Sequence, residues 1–70
     1  MAGNIVEHVY VRVITISHLT TSELEGSLQV RVNSLADECG VPCKSLSCTG
    51  TVKDPEDPRR KISQYTAVFG

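Results

Sequence analysis

The sequence predicts one α+β domain over residues 1–70, ordered β-α-β-β, with a three-stranded antiparallel sheet in spatial order 1-3-2 and one helix on one face. Three observations carry this. A β-branched run opens the chain, a capped segment of helical period follows, and two alternating segments flank a loop that contains two prolines. With 40% hydrophobic and 21% charged residues, the chain has the composition of a folded globular domain rather than a disordered one.

The first strand is expected at about 6–17, where Val6, Val9, Val11, Val13, Ile14, Thr15 and Ile16 concentrate the residues that suit a pleated, half-buried surface. Alternation sorts Val9, Val11, Val13 and Thr15 to one side, and Val6, Tyr10, Ile14 and Ile16 to the other with His8 and Arg12. Both sides are apolar, and the strand alone does not say which one the helix takes.

The helix is expected at about 21–39. Thr20 is its N-cap, with Ser22 a later alternative, Glu23 the reciprocal capping-box partner, and Leu19 with Leu24 a hydrophobic staple. Leu24, Leu28, Val32, Leu35 and Cys39 recur at helical spacing. Gly40 supplies a left-handed stop, Val41 can fold back onto Ala36, and Pro42 prevents continuation.

A second strand at about 44–53 places Leu46, Cys48 and Val52 on a core side and Ser45, Ser47, Thr49 and Thr51 on a polar one, with Gly50 marking a bulge or a close approach. The segment Asp54 to Arg60 reads as a solvated hairpin tip, because Pro55 and Pro58 cannot donate to a ladder. The last strand, at about 61–69, has apolar residues on both sides and suits the middle of the sheet.

Size bears on function. A chain this short buries only about 60% of its unfolded surface, so its stability is marginal without a disulfide, a metal or a partner. One helix covers one side of a sheet, so the other apolar side of the first strand calls for a second copy or another protein. The interface is expected to centre on Tyr10, Ile14 and Ile16. Self-association as a dimer or larger is therefore the leading expectation, with a protein partner as the other occupant.

Seven Lys+Arg against eight Asp+Glu leave no basic field to recruit nucleic acid or an anionic membrane, and no apolar stretch is long enough to span a bilayer. The start lacks a basic-then-apolar leader and the cysteine count is odd, which together predict a cytoplasmic protein with reduced thiols.

Cys39, Cys43 and Cys48 could gather thiolates at the turn after the helix. Structural zinc takes four ligands, however, and His8 or His18 would have to complete the set, so burial as small apolar residues is favoured and neither a metal nor a cofactor is expected. A Cys39–Cys43 disulfide under oxidising conditions stays open on spacing alone. His8 and His18 lack a placed nucleophile and an orienting group, so both read as surface or strand-edge histidines and no catalytic residue is assigned. Arg12, Arg59 and Arg60 are the candidates for holding an anionic or aromatic ligand at subunit junctions.

The helix segment Leu28-x-x-x-Val32-Asn33 and the terminal Tyr65-Thr66-Ala67-Val68 resemble the small strand-helix-strand-strand sporulation-associated proteins of bacilli. This resemblance implies the topology and no activity. The element order and length are also similar to those of the dodecins, flavin-storing proteins that assemble as hollow dodecamers and stack flavin on a tryptophan of the second strand. This chain has no tryptophan and a Ser/Thr-rich second strand, so no flavin site is carried over. The expected function is a small non-enzymatic oligomerisation or protein-interaction module. The alternative is a homo-oligomer that binds or sequesters a nucleotide or flavin-like ligand.

Overall fold

The computed structural model describes residues 8–70. Its elements are β1 (Tyr10–His18), α1 (Thr21–Cys39), β2 (Cys43–Lys53) and β3 (Lys61–Phe69). The sheet order is β1-β3-β2 with both neighbours antiparallel, which is the predicted α+β arrangement. Val6 and Glu7, where the first strand was expected to begin, lie outside the described residues. His8 and Val9 precede the strand, and His18 extends it by one residue beyond its expected end.

β1 and β3 pair without interruption from Tyr10↔Phe69 to His18↔Lys61. The even-numbered residues of β1 therefore share a face with the odd-numbered residues of β3, and α1 lies on that face. Ile14 (0% exposed) and Ile16 (6%) join Ala67 and Phe69 in the buried core, with Leu24, Leu28, Val32 and Leu35 of the helix packed against them. The expected interface at Tyr10, Ile14 and Ile16 is thus corrected. Ile14 and Ile16 are core and Tyr10 packs beside them, because the helix stripe covers the face carrying the larger apolar side chains, where burial removes more surface from water.

β2 departs from simple alternation. Its register against β3 shifts between Cys43 and Ser45 and again between Cys48 and Gly50, so Lys44 and Thr49 are the extra residues of two bulges. The second bulge reverses the sides expected for the end of the strand. Val52 pairs with Ile62 on the face away from the helix, whereas Thr51 pairs with Ser63 and their hydroxyls lie 3.2 Å apart. The bulge residue Thr49 donates its hydroxyl to the Gln64 carbonyl at 3.1 Å.

The helix ends are set locally. The Thr20 side chain accepts from the Glu23 amide at 3.1 Å, and Gly40, at φ 74°, donates its amide to the Ala36 carbonyl at 2.8 Å. A left-handed φ there favours glycine. Between these caps α1 contacts β1 and β3 and scarcely touches β2, which is exposed along its length apart from half-buried Cys43. No α1 side chain is fully buried.

The two faces are separable by substitution. Ile14→Ala is expected to lower the unfolding free energy by about 2–5 kcal/mol. Val13→Ala, on the opposite face of the same strand, should cost far less in a chain kept dilute enough to be monomeric. Urea denaturation followed by circular dichroism checks both, and equal losses would contradict this assignment of faces.

Candidate functional site

The side of the sheet away from α1 is uncovered. Val11 (55% exposed), Val13 (58%) and Val52 (63%) stand in the open, half-buried Val68 lies on β3 beside Val11 and half-buried Ile62 beside Val52, and Val9 continues the β1 row before the strand. Register pairs Val11 with Val68 and Val52 with Ile62, and fills the rest of this side with Thr15, Ser17, Ser45, Ser47, Gln64 and Thr66. No register-paired strand position on it is Asp, Glu, Lys or Arg, and the bulge residue Lys44 brings its alkyl chain to the Val9 and Gly70 corner of this side. By register these form two apolar clusters, Val9, Val11, Val13 and Val68 toward the Tyr10 end and Val52 with Ile62 toward the other, with Thr15, Gln64 and Thr66 between them. Exposed apolar clusters of this kind mark a candidate interaction face.

One end of the sheet is closed by a polar clasp. The Arg60 guanidinium donates to the Ser17 hydroxyl and carbonyl, each at 3.0 Å, and to Glu23 Oε1 at 2.6 Å. The Ser17 hydroxyl donates to Asp54 at 2.9 Å. The tip of the β2–β3 connection, the end of β1 and the first turn of α1 are thereby tied together. Glu23 Oε2 accepts from the amide of Leu19 at 3.4 Å, the backward half of the cap landing one residue before Thr20. The Arg60 hydrogen bond first, then that amide, hold the Glu23 carboxyl below its ordinary range. Asp54 is lowered by the Glu56 amide and the Ser17 hydroxyl, and Asp57 by the side chain and amide of Arg59.

The three arginines proposed for ligand binding do not converge. Arg60 is consumed in the clasp, Arg59 forks onto Asp57 at 3.1 and 3.2 Å, and Arg12 lies over the Tyr10 ring at 5.8 Å while donating to the Val11 carbonyl. Along β1, Arg12 stands about 20 Å from the His18 end where Arg60 sits. His18 is on the edge strand as expected, yet its ring is buried and its Nε2 lies 2.7 Å from the buried Ser63 hydroxyl. That leaves Ser63 (1% exposed) unreachable by a substrate.

The cysteines are free thiols: Cys39 and Cys43 are half-buried beside the core, and Cys48 is exposed opposite Tyr65. Partial burial first, and then the adjacent Cys48 thiol, push the Tyr65 phenol up. Among the described residues no group of His, Cys, Asp and Glu is placed to hold a metal ion, and no helix is long and apolar enough to cross a membrane.

Beside the β1 edge runs an open groove of about 650 Å³ between strand and helix, lined by Ile16, Ser17, Glu23, Gly26, Val30 and Arg31 among others. Sequence reasoning missed it. Its signal is the small side chains Ser22, Gly26 and Ser27, gathered on one side of an otherwise Leu- and Val-bearing helix. No family model, curated protein or solved structure matches the chain.

Because the folded carboxyl of Glu23 titrates below its unfolded value of 4.5, its share of stability is present above that pH and is lost as the pH falls through the lower, folded value. Thermal unfolding across the acid range should therefore show a decline that Glu23→Gln flattens. A slope unchanged by the substitution would remove Glu23 from the clasp.

Proposed function

We propose that this protein is a small non-enzymatic self-association or protein-interaction module whose contact surface is the uncovered sheet face, with a second copy of the chain as its first partner. The single observation behind this reading is the exposed apolar surface of that face, Val9, Val11, Val13 and Val68 at one end and Val52 with Ile62 at the other, opposite a core that holds only Ile14, Ile16, Ala67 and Phe69 among the described residues. Burying such a surface contributes about 25 cal/mol per Å², and a domain of this size has few other sources of stability.

A face with so few charges suits a copy of itself, since a two-fold contact presents the same patch from both sides and sets residues on the axis against their own equivalents. The free thiols suit a reducing compartment, and we place the protein in the cytoplasm without nucleic acid or membrane as partner. A ligand-sequestering assembly ranks second, because Arg12 is remote from Arg59 and Arg60 and the latter two are engaged by carboxylates.

Val11→Thr with Val13→Thr keeps the β-branched shape while making the face polar. Multi-angle light scattering is expected to show association in the native chain and a smaller species in the double variant, which should keep its circular dichroism spectrum. A native chain that stays monomeric at high concentration, or a double variant of unchanged mass, would end this reading.

A further inference from the structure

We propose that the free edge of β1 pairs antiparallel with β1 of a second copy about a two-fold axis, joining two three-stranded sheets into one of six. This names the partner and contact of the self-association read above and rests on it.

The two edges of the sheet are unlike. β2 is broken by bulges at Lys44 and Thr49 and carries lysines at 44 and 53, devices that blunt an edge against strand addition. β1 has none of them. Its nine residues pair without a shift, contain no proline, and include one full charge, Arg12. β1 and β2 both run antiparallel to β3, so a head-to-tail joint in one continuous sheet would set β1 parallel to a doubly bulged neighbour. Pairing β1 with β1 about a two-fold axis avoids both defects.

The groove beside that edge has room for the side chains an added strand would bring. A Cβ at Gly26 would meet nothing within 4 Å, Ile16 forms part of the floor, and Val30, at 67% exposed, stands uncovered on the wall. The two ends of the groove differ in charge. At one end Glu23 and, through Ser17, Asp54 stand against the single guanidinium of Arg60. At the other, Arg31 takes part in no ion pair among the described residues. An antiparallel joint whose axis passes beside Ile16, midway along the groove, exchanges these ends, so the acidic end of each copy comes to the Arg31 end of the other.

Area gives a further reason. Three strands of about nine residues, at 4.8 Å between strands and 3.4 Å per residue, present a face of about 440 Å². A stable interface covers about 800 Å² on each partner. Edge pairing doubles the open face to about that size, so two edge-joined dimers can pack face to face where single chains fall short.

The test uses the full chain in sedimentation equilibrium, with amide hydrogen exchange of β1. Gly26→Gln puts a good helix former into the groove at a position open to solvent, so the monomer folds at least as well. It is expected to weaken association at least about tenfold and to remove protection from the outward-facing β1 amides. Val11→Thr with Val13→Thr should instead stop at a dimer of the 7.6 kDa chain with β1 still protected. If Gly26→Gln keeps native mass and protection while the valine pair abolishes association, edge pairing is wrong and the face reading survives. If the valine pair changes nothing while Gly26→Gln dissociates the chain, the face reading fails and the edge stands. A native chain that is monomeric overturns both, leaving the edge to a strand from another protein.

Discussion

A single helix can shield only one side of a three-stranded sheet, and here it does not shield even that side fully. α1 lies over β1 and β3 and leaves the helix-side residues of β2, Leu46 and Cys48 among them, in contact with solvent. Among the described residues the apolar side chains are thus divided between a small core and a surface that no described element reaches. The division is decided at β1, where consecutive residues point to opposite faces. Ile14 and Ile16 go under the helix, and Val11 and Val13 go to water. Every other feature with a bearing on function, including the open face and the groove at the strand edge, follows from where that helix sits.

The order of elements, the helix caps and the central position of β3 were legible in the sequence because each rests on short-range chemistry. Thr20 and Glu23 lie within one turn, and Gly40 needs only its own φ. Which face of β1 the helix takes was not legible, since both rows are apolar and the choice depends on Phe69 and Ala67 arriving from the far end of the chain. The reversal at Val52 was also hidden. Gly50 signalled an irregularity, but a bulge at Thr49 becomes definite only when β3 supplies a fixed row of partners to count against. Arg60 read as a solvated tip residue because its three acceptors, on Ser17 and Glu23, are some forty positions away.

The sheet has two chemically different ends, and this organises the rest. At the Tyr10 end, Phe69 lies between Tyr10 and Cys43 in an apolar row across all three strands. At the His18 end the helix side turns polar: Ser63 pairs with Thr51, their hydroxyls 3.2 Å apart, and His18 reaches Ser63 diagonally at 2.7 Å, beside the Arg60 clasp. Buried polar groups are costly unless partnered, and among the described residues no buried side-chain polar atom lacks a hydrogen bond. A satisfied row of this kind fixes register, since a one-residue slip would bring Ile62 under the helix and leave His18 without its serine.

Edge protection is the remaining asymmetry. An isolated domain with a three-stranded sheet has two open edges, and a chain selected only to stay monomeric has the same reason to blunt both. Here two bulges, two lysines and a Ser/Thr-rich composition fall on β2, while β1 keeps a straight ladder and β-branched residues. The exposed Val30 and three small residues of α1, Ser22, Gly26 and Ser27, face that same β1 edge across the groove. Small residues on a helix lower its own propensity and bury little surface, so within one copy they contribute nothing that larger ones would not exceed. They become useful where a second backbone lies close beside them, as in the edge pairing proposed for β1.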